Sequence, residues 1–201
     1  MEIIKLSDAT RDRRPEVSRI FVASFYDWLK FFSKDQAKLT RAFTHIFNPA
    51  VFYVAIADGA VLGFAACTDD RVPSIRLQQS KLRHHLGWFR GTIAYKILKK
   101  EFEDKPYPFK MQPTMGAIEF VATDSQHRGR GVATQIIQYL HAHTPYQTYV
   151  LEVADTNTKA ISLYEKLGYQ VFKKVAETHP KQSGFNNYLY MKYTKKMHAT
   201  R

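Results

Sequence analysis

The stretch Gln126-His-Arg-Gly-Arg-Gly-Val-Ala133 stands between an apolar strand pattern and an apolar helical pattern. A helix start leaves backbone N–H groups unpaired and carries partial positive charge. Glycines at that place let the backbone approach an anion closely, and Arg128 and Arg130 add charge. The turn is therefore suited to a phosphate or pyrophosphate, although a turn that only packs helix on strand could use the same glycines. Just upstream, Glu119 lies among apolar residues in Ala117-Ile-Glu-Phe-Val-Ala-Thr123. A buried carboxylate is costly unless it is partnered or used, and burial raises its pKa. A second glutamate, Glu152, lies in Val150-Leu-Glu-Val-Ala154, twelve residues before Tyr164.

Two common phosphate loops do not fit the turn. A Walker A loop needs Gly-x-x-x-x-Gly-Lys-Ser/Thr, which is absent. A dinucleotide fingerprint needs Gly-x-Gly-x-x-Gly/Ala after a first strand. Here Thr134 stands at the third position and the strand is a late one. Nor do the histidines suggest a metal. His84-His85 and His141-Ala-His143 have spacings that do not put two rings on one helical face, so no metal site is expected. His141 and His143 near a helix C-terminus read as partners of the helix dipole.

These residues must be held by regular elements. Ile3–Leu6 reads as a first strand, and Pro15–Leu29 as a helix with Pro15 in its first turn. A second helix covers roughly 34–47. Phe52–Ala57 and Ala60–Cys67 form a hairpin, because Asp58-Gly59 suits a type I′ turn with two positive φ angles. Residues 69–113 are more basic and less regular, with helices expected at Lys81–Phe89 and Thr92–Phe102. Ala117–Thr123 is a strand, and alternation puts Glu119, Val121 and Thr123 on one face and Ile118, Phe120 and Ala122 on the other. A helix over 129–143, a strand Tyr149–Ala154, a helix Thr158–Leu167 with Gly168 at its end, and strands Tyr169–Val175 and Tyr188–Tyr193 complete the order. Mixed connections of this kind imply a mixed sheet with helices on its faces.

Bulk properties narrow the class. The 201 residues suit one domain over 1–194, with 69–113 as a basic helical insertion and 195–201 as a frayed tail. Cys67 is the single cysteine, which excludes an internal disulfide and fits a reducing compartment. The N-terminal residues do not read as a signal peptide. The longest apolar stretch, Val51–Cys67, is interrupted by Asp58-Gly59 and is too short to span a membrane. The net charge of +12 is heaviest in 71–110 and the last ten residues, and suits an acidic partner or a well-solvated surface.

Downstream of the glycine turn, Leu151-Glu-Val-Ala-Asp-Thr-Asn-Thr-Lys-Ala-Ile-Ser-Leu-Tyr-Glu-Lys-Leu-Gly-Tyr169 completes a pattern. Gln126, Gly129 and Gly131, followed by Asn157, Ala160, Leu163, Tyr164, Gly168 and Tyr169, resemble the two motifs of the GCN5-related N-acetyltransferase (GNAT) superfamily. The order of elements agrees over nearly the whole chain, except that the family has a much shorter connection in place of 69–113. The resemblance implies an α/β fold with a mixed, mostly antiparallel, twisted sheet splayed between strands 4 and 5, helices on both faces, and acetyl-CoA in the splay.

The resemblance also implies roles. The backbone of Val121, Ala122 and Thr123 would hold the acetyl and pantetheine arm, with a Val121 N–H facing the oxyanion. The amides of Arg128, Gly129, Arg130, Gly131, Val132, Ala133 and Thr134 would hold the pyrophosphate, and Asn157 would contact the pantetheine arm. Tyr164, which by spacing alone is a core residue, would protonate the leaving thiolate. Glu119 and Glu152 compete for general base. Several family members use a glutamate at the place of Glu119, while the ribosomal-protein N-terminal acetyltransferases have a segment very similar to that around Glu152. The expectation is a cytoplasmic acetyl-CoA-dependent N-acetyltransferase acting on an amine, with Glu119 slightly preferred as base and no metal. The acceptor cleft should be bordered by 69–113 and by the aromatic stretch 25–32. No membrane partner is expected, nucleic acid is disfavoured, and homodimerisation is open. The alternative is a CoA-binding or RNA/protein-binding module of the same fold without transfer.

Overall fold

The computed structural model of the chain describes residues 1–69 and 71–196. The tail expected over 195–201 lies, from residue 197 on, outside the described residues. Among the described residues seven strands form one open sheet: β1 (Glu2–Lys5), β2 (Phe52–Ala57), β3 (Ala60–Thr68), β4 (Met115–Thr123), β5 (Thr148–Ala154), β6 (Gln170–Ala176) and β7 (Asn187–Thr194). Their order is β1-β2-β3-β4-β5-β7-β6. Only β4 and β5 run parallel; the other pairs are antiparallel. The expected hairpin forms at β2–β3, where Ala57 pairs with Ala60 and both Asp58 (φ 50°) and Gly59 (φ 74°) have positive φ.

Helices cover both faces. One face carries α1 (Arg14–Ser24), the short α2 (Tyr26–Leu29), α3 (Gln36–Phe43), α4 (Gln79–Leu86) and α5 (Trp88–Leu98), whose apolar residues join Phe52, Val54 and Phe64 in one core. The other carries α6 (Val132–His143) and α7 (Thr158–Lys166), packed on Tyr53, Ile118, Tyr149 and Leu151. A single turn, α8 (Pro180–Ser183), precedes β7. Pro15 sits in the first turn of α1 as expected, and the Asp35 carboxylate caps α3 by accepting from the Lys38 N–H at 3.0 Å. Ser18 Oγ donates to the Thr40 carbonyl at 2.7 Å and ties α1 to α3. Among the described residues no helix is long and apolar enough to cross a membrane.

Several boundaries differ from the sequence expectation. The helix expected over 15–29 breaks at Phe25, which leaves helical geometry and packs its ring on Phe21 at 4.8 Å. The glycine turn precedes α6 instead of opening it, so the helix begins at Val132 and not at 129. The two helices of the insertion are divided at Gly87 (φ 88°), not near Gly91. Gly91 lies inside α5 and is buried against α4. A Cβ there would stand 2.5 Å from the Arg83 N and Cα atoms. That glycine serves close helix contact, whereas Gly87 supplies the corner.

Replacing Gly91 by Ala should therefore separate α4 from α5. The expected loss is about 1–3 kcal/mol of unfolding free energy, checked by urea denaturation against the parent chain.

Candidate functional site

β4 and β5 pair only from Met115 against Thr148 to Ile118 against Leu151. Beyond that register both strands continue, to Thr123 and Ala154, without pairing each other. The sheet thus opens into a fork, and Glu119 and Glu152 are the first residue of each prong. The cause lies partly on β4. Opposite β3, Ala122 pairs with Phe64 and Glu119 with Ala66, so Phe120 and Val121 together face one residue, Ala65. This is a β-bulge, which bends a strand and increases its twist. Phe120 takes a φ of 53°, unusual for a bulky residue. Phe120 and Val121 have no register partner on either neighbouring strand.

The bulge corrects the expected alternation. Ile118 and Val121 pack in the core beneath α6 and α7. Phe120 and Ala122 pack in the core beneath α1. Glu119, opposite Ala66, lies on the α1 side with Phe120, not on the side of Val121. A strict period of two fails because the bulge inserts one residue. Phe120 is held by four rings, including Phe21 at 6.0 Å and Phe102 at 5.2 Å. Phe102 comes from the insertion, and Trp28, from the aromatic stretch, lies 5.5 Å from it. Both segments expected to border the cleft thus reach the fork.

The two carboxylates have different surroundings. Glu119 is enclosed: Ser74 Oγ donates to its Oε2 and Tyr107 OH to its Oε1. Burial pushes its pKa up, the charge of Glu152 adds to this, and the two hydroxyls act in the opposite sense. Burial and Glu119 together drive the Tyr107 hydroxyl far above the ordinary phenol value, so it stays a donor. Glu152 is more exposed. Lys105 Nζ donates to both of its oxygens at 3.0 Å, and Tyr190 OH donates to Oε2. Lys105 also lies 4.0 Å from the centre of the Tyr188 ring. The loop carrying Lys105 and Tyr107 therefore binds both prongs.

Tyr164 lies on the other side of the sheet. It is buried in the core beneath α6 and α7. Burial alone raises its pKa, to about 12. Asn157 is the N-cap of α7, its Oδ1 accepting from the Ala160 N–H at 3.2 Å, which leaves its Nδ2 group for another partner. Cys67 is buried, with a pKa pushed up by burial to about 12, and is inert.

The glycine turn leads from β4 to α6. Gly129 (φ 75°) and Gly131 (φ 77°) both occupy the left-handed region, which explains the residue type at each. Among the described residues no side chain caps α6, and Arg128 and Arg130 are exposed beside its first N–H groups. An open groove of about 340 Å³, lined by His127, Arg130, Val132 and Gln135, runs from the turn towards the β2–β3 hairpin. Val121, Ala122 and Thr123 lead directly from the fork to this turn, with Ala133 and Thr134 in the first turn of α6.

Five functional candidates escaped the sequence reading. Asp124 is buried; it accepts from the Gln126 N–H at 3.0 Å and pairs with Arg19 of α1 at 2.7 Å. Burial works against its charge, but Arg19 and the Gln126 amide hold its carboxyl below the ordinary value. It pins the glycine turn to α1, and its position two residues before Gln126 is a readable Asx-turn signal. Tyr107, between Pro106 and Pro108, had rigidity as its only sequence signal, and Ser74, Lys105 and Tyr190 had none. His141 corrects another expectation. It is stacked on Tyr193 at 4.3 Å with Nε2 2.7 Å from Tyr169 OH, and burial lowers its pKa to about 4. A neutral ring is no cationic partner of the helix dipole. His143 does contact a helix carbonyl, Tyr139 O, at 2.9 Å.

The sequence matches the pattern of the acetyltransferase (GNAT) family over residues 14–169. No curated protein matches it significantly. Among solved structures it is similar to an N-acetyltransferase from Staphylococcus aureus Mu50, with a TM-score of 0.62 and 17% identity, covering 96% of this chain and 100% of that one. It is similar also to a ribosomal-protein-alanine N-acetyltransferase from Brucella melitensis, with a TM-score of 0.59, 14% identity and 97% and 100% coverage. A third is an aminoglycoside 6'-acetyltransferase type Ii, with a TM-score of 0.55, 15% identity and 96% and 97% coverage. At such identities the likeness is one of fold, and these three proteins differ in what their names say they act on. The family pattern spans most of the sequence and the fold is shared along nearly all of it, so this chain belongs to the GNAT family of acetyltransferases.

Proposed function

We propose that the chain is a cytoplasmic N-acetyltransferase that moves the acetyl group of acetyl-CoA directly to a primary amine. The observation that carries the reading is the fork between β4 and β5, with a carboxylate of raised pKa on one face and a phenol on the other. Acetyl-CoA supplies an activated thioester. Acetyl transfer to an amine needs a base on the amine side and an acid on the thiolate side, and a gap through a sheet keeps the two apart.

Glu119 is the base. An amine near neutral pH is mostly protonated, and a carboxylate with a raised pKa takes its proton more readily than an ordinary one. Ser74 and Tyr107 orient the carboxylate. Tyr164 returns a proton to the departing thiolate, and the backbone of the bulge at Val121, without register partners, offers an N–H to the developing oxyanion. Ala122 and Thr123 hold the pantetheine arm through backbone groups on the open side of β4, helped by the free amide of Asn157. The uncapped start of α6, from Arg128 to Thr134, holds the pyrophosphate. Glu152, committed to Lys105 and Tyr190, serves as the anchor of the 104–110 loop. The basic, aromatic surroundings disfavour a polycationic amine and suit an acceptor that carries a carboxylate or phosphate, or an acidic protein surface.

An amine panel with acetyl-CoA and free-thiol detection tests the activity. Amino acids and peptide N-termini should outpace polyamines and aminoglycosides. Acetyl-CoA binding without thiol release from any amine would leave a binding module in place of an enzyme.

Glu119→Gln should lower kcat by about 100-fold or more, in the usual range for a lost general base. Because a base must be deprotonated, activity should rise with pH through an acid limb above the ordinary glutamate range, and the variant should lack that limb. Tyr107→Phe removes a hydrogen bond that favours the charged form, so the limb should move to higher pH. A kcat/KM profile from acid to neutral pH measures both.

Tyr164→Phe should lower kcat by about 10- to 1000-fold with little change in KM for acetyl-CoA, since the hydroxyl acts only as thiolate leaves. Asp124→Asn should do the reverse, raising KM for acetyl-CoA by loosening the turn. Steady-state kinetics in acetyl-CoA separates the two.

A further inference from the structure

The outer end of the insertion takes no part in the fork. α4 and α5 form a tight helical hairpin whose buried residues, Leu82, Leu86, Ala94 and Leu98, complete the core on the α1 side. Its corner at Gly87 presents two adjacent large aromatics to solvent, Trp88 (71% exposed) and Phe89 (68% exposed). Ile93, one turn after Phe89, is only half-buried and lies outside the core. The outward side of α5 therefore carries the apolar Phe89 and Ile93 beside the basic Lys96, a mixed aromatic and basic face in place of a purely polar one.

The charge around this tip is of one sign. Residues 71–100 contain eight Lys or Arg and no Asp or Glu. Arg90 and Lys96 are exposed on α5, Lys100 in the turn that follows it and Lys81 on α4, without ion-pair partners among the described residues. Arg83 lies 5.5 Å from the Trp88 ring and donates to Thr92 Oγ1 at 2.9 Å, which fixes the corner. Lys81 and His85 also line an open groove of about 400 Å³ with Arg14 and Arg41. The first acids that follow along the chain are Glu101, Glu103 and Asp104, beyond the far end of α5, and the last two pair with Lys99.

We propose that the α4–α5 tip docks on an anionic lipid surface, with Trp88 and Phe89 at the headgroup level and the surrounding Lys and Arg on lipid phosphates. Aromatic rings beside basic side chains are the composition of interfacial anchors. Basic residues near an anionic leaflet add attraction that decays within a Debye length. A nucleic acid would meet the same charge, but single strands are held by rings lining a groove with open faces. Here the rings stand on a protruding corner, and Arg83 covers one face of Trp88. Lack of a spanning helix does not bear on this, because the tip lies on a membrane and does not cross it.

The test is co-sedimentation of the full chain with phosphatidylcholine vesicles with and without phosphatidylglycerol. Binding should require the anionic lipid and weaken as salt rises. In a Trp28→Phe background the Trp88 emission should shift to the blue on binding. Trp88→Ser with Phe89→Ser should weaken binding by at least about tenfold. Phe89→Ser alone, which keeps the Arg83–Trp88 contact, should weaken it less, and Arg90→Gln with Lys96→Gln should reduce the preference for anionic lipid. Circular dichroism checks that each variant is folded. The proposal falls if the parent chain ignores anionic vesicles at low salt, if the folded aromatic variants bind as the parent does, or if single-stranded RNA binds through these residues and vesicles do not.

Discussion

One backbone angle organises the centre of this protein. Phe120 lies at a φ of 53°, a conformation that costs a residue with a Cβ about 1–2 kcal/mol. The cost is offset because the ring has Phe21, Phe25, Phe52 and Phe102 around it at centroid distances of 5.2–6.5 Å. Each such pair contributes roughly 0.5–1.5 kcal/mol beyond area burial. The aromatic cluster therefore holds a bulge that an isolated strand would relax. The bulge places two consecutive residues, Glu119 and Phe120, on one side of the sheet, and it bends β4 where its pairing with β5 ends. A fork bordered by a carboxylate depends on that single distortion, a common place for strain to be stored.

The fork also explains how a carboxylate survives in an apolar strand. Burial of Glu119 is tolerated because Ser74 and Tyr107 donate to its two oxygens. Both come from the 69–113 segment. Glu152, its neighbour across the fork, would add repulsion if left bare; Lys105, from the same segment, neutralises it locally. The 69–113 segment thus solves an electrostatic problem: two carboxylates at the crotch of a sheet need donors, and among the described residues the strands themselves supply only Tyr190.

Much of this was legible in sequence where a residue type had one physical use. Asp58-Gly59 required two positive φ angles and has them. The paired glycines before α6 required close, left-handed backbone and have it. The acetyltransferase motifs gave the sheet and its splay. Legibility failed where a local rule was overridden from a distance. Alternation misplaced Glu119 relative to Val121 because a bulge depends on cross-strand registry and on rings from other segments. Gly91 looked like a break because its contact with the α4 backbone is tertiary, whereas Gly87 is the true corner. His141 looked like a charged helix end because its neighbours Tyr169 and Tyr193 lie more than twenty-five residues away in the chain. Three partners of the two glutamates, Ser74, Lys105 and Tyr107, come from a segment whose sequence is irregular.

The insertion therefore does different work at its two ends. Its inner parts, Ser74 and the 104–110 loop, are polar at their contacts and bind the prongs of the fork. Its outer corner is aromatic, basic and free of acids. An α-helix of eleven residues rises about 16 Å, so α5 separates the corner from the loop by the length of a small side-chain layer several times over. α5 and the Lys99–Glu103 turn connect the corner to the loop. Phe102 sits in that turn and packs on Phe120. The residue that packs on the bulge and the residues that face outward are thus parts of one short, continuous run of chain, from Trp88 to Phe102.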